Sequence, residues 1–196
     1  MFANRFVVVV DACSLFGALS RDTLLSLAEA DLFRIRWTEK ILDETEKALD
    51  RSFSKRGDTS AASNAKKQRT RMHKAFEEAT VIVEECHMPP FESLPDPDDS
   101  HVIGAAVACD ASMIVTENIK DFPEDVLRPF GLEAKRADSF IADTIDLRPA
   151  QSIKALATMR RKYKNPELTA EKLLLLYESR EFYETADLLR PYIDQL

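Results

Sequence analysis

The sequence predicts an α/β protein: a parallel sheet covered on both faces, followed by a helical appendage. Three observations carry that prediction. The run Phe6 to Val10 is β-branched and apolar without alternation, which suits a central strand of a parallel sheet. Short strand-like runs then alternate with segments of helical periodicity. After about residue 137 the pattern becomes purely helical. A chain of 196 residues buries one substantial core more easily than two, so a main domain over 1–137 and a helical extension over 138–196 are expected.

Asp11 closes the first strand at its carboxyl end, the edge of an open α/β sheet where ligands bind. Residues 13–30 carry apolar positions for two helices, with a break expected near Ser20 to Asp22. Arg34 to Trp37 reads as a second strand. Thr38 precedes Ile41, Leu42, Thr45, Ala48 and Leu49, the spacing of an amphipathic helix that contains Glu44. Ser60 to Ala79 is helical by propensity, and Val81 to Val83 resembles a further strand. The proline-rich acidic stretch MPPFESLPDPDDS breaks regular structure, and Asp99 opens the small-residue helix His101 to Cys109. Ser112 to Val115 is another strand candidate, followed by the polar loop TENIKDFP, and Glu133 with Ala134 begins a short edge strand. Helices near 138–146, 150–163, 169–179 and 181–190 complete the chain.

The apolar start is too short for a signal peptide or a membrane span, so a cytoplasmic protein with no membrane partner is expected. Cys13, Cys86 and Cys109 are odd in number and far apart, which reads as free thiols. The net charge of −7 speaks against nucleic-acid binding until its distribution is considered. From Arg51 to Lys74 the basic residues Arg51, Lys55, Arg56, Lys66, Lys67, Arg69, Arg71 and Lys74 face the single acid Asp58. From Glu77 to Asp125 the balance reverses, with only Lys120 opposing the acids. Carboxylates to hold a cation beside a basic strip to hold a phosphate backbone suit a phosphodiesterase; two separate solvated faces are the plainer alternative.

Cutting a phosphodiester with metal ions needs carboxylates drawn together from separate segments. Asp11, Glu44, Asp99 and the pair Asn118 and Asp121 are the candidates. Singly each is weak, because an aspartate after a strand also caps a helix and a helical glutamate is also a solvated one. In order, VVVVDACSLF, WTEKILDETEKAL, LPDPDDSHVIGAAVACDASMIVTENIKDFP and the helical tail resemble the PIN-domain family, most closely VapC-type toxins with an added C-terminal helical region. The resemblance implies a Rossmann-like α/β/α sandwich, Mg²⁺ or Mn²⁺ as cofactor, endoribonuclease activity on an RNA substrate, and a cognate antitoxin; a homodimer is common among such toxins. It implies that Asp11, Glu44 and Asp99 bind metal, and that either Asn118 or Asp121 completes the site; Asp96 and Asp98 fall in the loop as bystanders.

Around that set, Lys66, Lys67, Arg69, Arg71 and Lys74 are the candidate nucleic-acid contacts. Arg34, Arg36 and Lys40 flank the second strand. Ser14 and Thr116 either cap helices or orient water or phosphate. His101 reads as a packing or hydrogen-bonding residue, and Trp37 as core or as a base-stacking platform. The apolar positions Leu173, Leu174, Leu176, Tyr177, Phe182, Tyr183, Leu188 and Leu189 in the tail allow either packing on the body or a groove for an antitoxin or second subunit. A dehalogenase-like phosphotransferase would need an acid where Cys13 stands. Nucleotide-binding loops need clustered glycines, and the four here are scattered. A DNA flap nuclease would be larger. The remaining competitor is a PIN-fold module that binds RNA or protein without cutting.

Overall fold

The computed structural model describes residues 6–84, 87, 94–164 and 166–196. Strands β1 (Val7–Val10), β2 (Arg34–Arg36), β3 (Met113–Val115) and β4 (Glu133–Lys135) form one parallel sheet in the order β2-β1-β3-β4. Val8, Val9 and Val10 are completely buried, as an unalternating central strand requires. Helices flank the sheet to make the α/β/α sandwich.

Register fixes where the site lies. Val10 pairs with Val115, and Val115 with Lys135, so the strands end flush. The Asp11 amide donates to the Val115 carbonyl at 2.9 Å and the Thr116 amide to that of Lys135 at 2.9 Å. Asp11 and Thr116 therefore start their loops side by side.

Two helices follow β1, α1 (Ala12–Phe16) and α2 (Ala18–Glu29), but they part at Gly17 rather than near Ser20 to Asp22. The reason is Arg21. Its guanidinium turns inward, 6% exposed, and donates to the carbonyls of Leu15 at 2.9 Å and Phe16 at 3.3 Å. The carbonyls freed at the end of α1 are thus satisfied from inside α2.

Helix α3 (Glu39–Lys55) starts at Thr38, whose hydroxyl accepts from the Ile41 amide at 3.2 Å. Helix α4 (Ala61–Ala75) stops short of Ala79, because Phe76 leaves helical geometry and Glu77–Ala79 form a single 3₁₀ turn. The expected strand at Val81 to Val83 reduces to one parallel bridge between Trp37 and Thr80. Ile82 is 83% exposed, so no buried face holds that segment in a strand.

A 3₁₀ turn at Pro97–Asp99 leads into α5 (Ser100–Ala108). Helix α6 (Glu124–Leu127) and a turn at Gly131, whose φ of +67° favours glycine, lead to β4.

Helices α7 (Ala137–Leu147), α8 (Pro149–Arg161), α9 (Ala170–Ser179) and α10 (Tyr183–Leu189) form the tail. Helices α7 and α8 pack on α2, and α10 packs on α7 and α9; Leu156, Leu173, Tyr177 and Leu189 are fully buried in the same apolar cluster as Val8 and Leu24. The Tyr177 and Thr23 hydroxyls lie 2.7 Å apart, and Tyr163 donates to Asp22. Packing on the body thus accounts for much of the apolar surface that suggested a spare groove, although Tyr183 remains exposed. No helix among the described residues is long and apolar enough to cross a membrane. Cys13 and Cys109 are free thiols, and Cys86 lies outside the described residues.

Candidate active site

At the carboxyl edge of the sheet an open cleft of about 670 Å³ is lined by Asp11, Cys13, Glu44, Asp99, Glu117 and Asn118, with Phe16, Arg51 and Lys55 further along. Four separate stretches of chain meet there, as the reading of the acids required.

The wall built by β1 and β3 is a dense hydrogen-bond network. Asp11 is 6% exposed; its Oδ1 accepts from the Ala12 amide at 2.6 Å, and its Oδ2 from the Thr116 hydroxyl at 2.8 Å and the Cys13 thiol at 3.0 Å. The Thr116 oxygen, fully buried, also accepts from the Asn118 amide at 3.1 Å. Cys13 Sγ accepts from the Glu117 amide at 3.1 Å. Burial first, then the charge of Asp11, pushes the Cys13 thiol up to about 12, so it stays protonated and donates. Ser14, buried, donates to Glu117 at 3.4 Å. Both hydroxyls hold side chains in place.

The wall built by α3 and α5 is looser. His101 Nε2 lies 3.2 Å from Glu44 Oε1, and Lys40 Nζ 3.9 Å from the same oxygen. Lys40 also donates to the Asp98 carbonyl at 3.2 Å, tying α3 to the turn before α5. His101, buried on the first turn of α5, thus packs against Glu44 at ion-pair distance, and its Nδ1 is buried without a hydrogen-bond partner among the described residues. Asp99 begins α5 without a side-chain cap. Partial burial and then repulsion from Asp11, Asp96 and Asp121 push its carboxyl up to about 6, against a smaller opposing pull from His101. Asp121 is therefore close enough to be felt but does not line the cleft. Asp96, read as a bystander, belongs to the same field; its carboxylate accepts from the Asp98 amide at 3.0 Å.

Among the described residues no three acidic, histidine or cysteine side chains are placed so that they could hold a metal ion as they stand. The acids face a shared cleft instead. Their oxygens suit a hard divalent cation, and the raised Asp99 marks negative charge that such a cation would offset.

The sequence profile of the PIN domain matches residues 7–120, which span every one of these acids but Asp121. The chain belongs to the PIN-domain family. A second profile, the VapC50 C-terminal domain, matches residues 137–191, the tail of this PIN protein. A curated relative from Mycobacterium tuberculosis (strain ATCC 25618 / H37Rv), described as "Putative ribonuclease VapC50", is 38% identical over 76 residues. That match covers 39% of this chain and 45% of the relative, less than half of either. No solved structure matches.

Within the PIN domain the sequence reading missed Glu117, Arg51 and Lys55 as cleft residues. Glu117 sits beside Asn118 in a long acidic run, where no local signal separates it from its neighbours. Arg51 and Lys55 were visible as part of the basic strip, but the strip was assigned to α4. There Arg69 bonds to α3 instead, at 2.8 Å from Asp43 and 3.7 Å from Glu46, with Glu39 as a further partner. Lys66, Lys67, Arg71 and Lys74 do not line the acid cleft. Arg71 lines a separate cleft of about 560 Å³ between α2, α4 and α8. Trp37 is completely buried, a core residue.

Proposed function

We propose that this protein is a metal-dependent endoribonuclease of the VapC toxin type, restrained in the cell by a cognate antitoxin. The observation that carries the reading is the meeting of Asp11, Glu44 and Asp99 in one cleft, with Asp99 raised to about 6 by partial burial first and then by its acidic neighbours. Such crowding disfavours ionisation unless a cation is present. A binding module gains nothing from it.

In this reading Asp11, Glu44 and Asp99 would hold Mg²⁺ or Mn²⁺, with the uncharged Asn118 amide or Asp121 as the further donor. When bound, the ion supplies positive charge to the scissile phosphate and lowers the pKa of an attacking water. Thr116, Cys13 and the Ala12 amide fix both oxygens of Asp11 before any ligand arrives, which limits reorganisation during the reaction. On the helix wall, opposite Asp11, His101 orients its neighbour Glu44. Asp99, near 6, exchanges a proton close to neutral pH. RNA as substrate, the antitoxin, and the cytoplasm as compartment belong to the same proposal, as does an additional electrostatic role for Lys66, Lys67, Arg71 and Lys74.

The test is direct. Purified full-length protein should cut single-stranded RNA with Mg²⁺ or Mn²⁺ and not with EDTA, and brief induction in cells should yield new RNA ends at defined positions. The absence of a ready-made metal site among the described residues favours a second reading, a PIN module that binds without cutting. RNA left intact at every metal concentration would select it.

A further inference from the structure

Glu44, Ala48, Arg51, Ser52 and Lys55 all line the cleft, and their three- and four-residue spacing puts them on one face of α3. That face runs from the acids outward. Arg51 lies roughly 10 Å and Lys55 roughly 16 Å along the helix axis from Glu44. Among the described residues the ion pairs of α3 and α4 involve Lys40, Arg69, His73 and His101, so both cations face the cleft without a carboxylate partner.

Phe16 is 38% exposed, as are Phe6 and, slightly more so, Phe130, but of these three rings it alone lines the acid cleft. Its backbone is anchored by the buried Arg21 guanidinium at 3.3 Å. An exposed ring on a rigid support beside unpaired cations has the composition of a single-strand platform: a π face for a base and charges for the backbone.

Building on the ribonuclease reading, we infer that single-stranded RNA enters along α3, with Arg51 and Lys55 on successive phosphates and one base stacked on Phe16. The acids meet the phosphodiester at the inner end of this track. Because α3 itself carries both Glu44 and the track, the helix sets the distance between backbone grip and cut. Stacking tolerates any base, so the Phe16 ring adds affinity without strict sequence choice.

The experiment measures anisotropy of a fluorescein-labelled single-stranded RNA of mixed sequence against the full chain carrying Asp99→Asn. EDTA prevents cutting, and salt is varied. Arg51→Gln with Lys55→Gln should lower the slope of log affinity against log salt by about 1.4, because each single-strand phosphate that is no longer neutralised removes about 0.7. Removing the same charge at Lys154 and Lys172, exposed on α8 and α9, should leave the slope unchanged. Phe16→Leu should weaken binding about 5- to 150-fold at constant slope, with Phe16→Trp restoring it.

A parental slope in the Arg51/Lys55 variant, parental affinity in Phe16→Leu, or no binding by the parent overturns the track. Wild-type cleavage of the same RNA with Mg²⁺ reports on the enzyme reading separately: intact RNA there refutes the ribonuclease, whichever way the slopes fall.

Discussion

The two walls of the cleft are built on different principles. On the strand wall, Asp11 is nearly buried and three donors fix its carboxylate within 3.0 Å. On the helix wall, Glu44 is 36% exposed and rests on His101 and a distant lysine, while Asp99 has no capping bond and carries the repulsion of its neighbours. Sheet register places Asp11 and Thr116 side by side, so short side chains reach each other. Helices α3 and α5 arrive from distant parts of the chain and leave charge uncompensated. One wall supplies geometry and the other supplies the demand for a cation.

The largest expected effect tests the strand wall. Asp11→Asn keeps an oxygen to accept from Ala12 and should leave the melting curve close to wild type. Metal-dependent RNA cleavage should fall by about 10²–10³-fold, the scale of removing one preorganised electrostatic group. An initial rate within tenfold of wild type would remove Asp11 from the chemistry.

Thr116→Val comes next. It keeps the shape but strips a buried donor from Asp11 and leaves the part-buried Asn118 amide without its acceptor. Urea unfolding should show a loss of about 1–3 kcal/mol, with Thr116→Ser restoring much of it. Equal midpoints for wild type and Thr116→Val would mean the network is dispensable.

How legible each wall was in the sequence follows from the same contrast. Strands, their order of use and the acids at their ends are encoded locally: FVVVV then Asp11, SMIV then Thr116. Helix faces are encoded by spacing, which puts Glu44 on α3. Partners across elements are not. Nothing local told that Arg21 would fold inward and move the α1–α2 break to Gly17, or that Arg69 would bond to the acids of α3. The Cys13–Asp11–Thr116 cluster joins residues more than 100 positions apart. Val81 to Val83 has strand composition but lacks a covering layer, so propensity misled there.

The helix wall makes a smaller, pH-dependent prediction. The folded pKa of Asp99, about 6, lies above its ordinary 3.8. Its protonated form therefore favours the fold below 3.8, that contribution is lost as pH rises to 6, and above 6 the ionised carboxylate is a net cost. Asp99 is only half buried, and solvent screening reduces the effect to about 1 kcal/mol. Asp99→Asn in EDTA at pH 7.5 should melt about 2–4 °C above wild type, and at pH 4 the two should coincide. Mg²⁺ should close the gap at pH 7.5 by stabilising the wild type. A gap unchanged by pH would mean that Asp99 does not carry the repulsion.

The smallest effect concerns the outer surface beyond the helix wall, where α4 carries Lys66, Lys67 and Lys74 away from the cleft. Charge that does not touch the phosphate still raises the local concentration of RNA through the long-range field. It does so only over about one Debye length, roughly 10 Å at 0.1 M salt. Replacing these three lysines with glutamine should therefore slow RNA association about 2- to 5-fold at about 0.05 M salt, with little change in dissociation. At about 0.5 M salt the rates should converge with wild type. Arg69 is left in place because its removal would unpair Asp43 and Glu46 on α3 and confuse folding with steering. Stopped-flow fluorescence at the two salt concentrations separates the outcomes. Unchanged association at low salt would reduce the strip to a solvated face, and a deficit that persists at high salt would show direct contact, extending the RNA path from α3 onto α4.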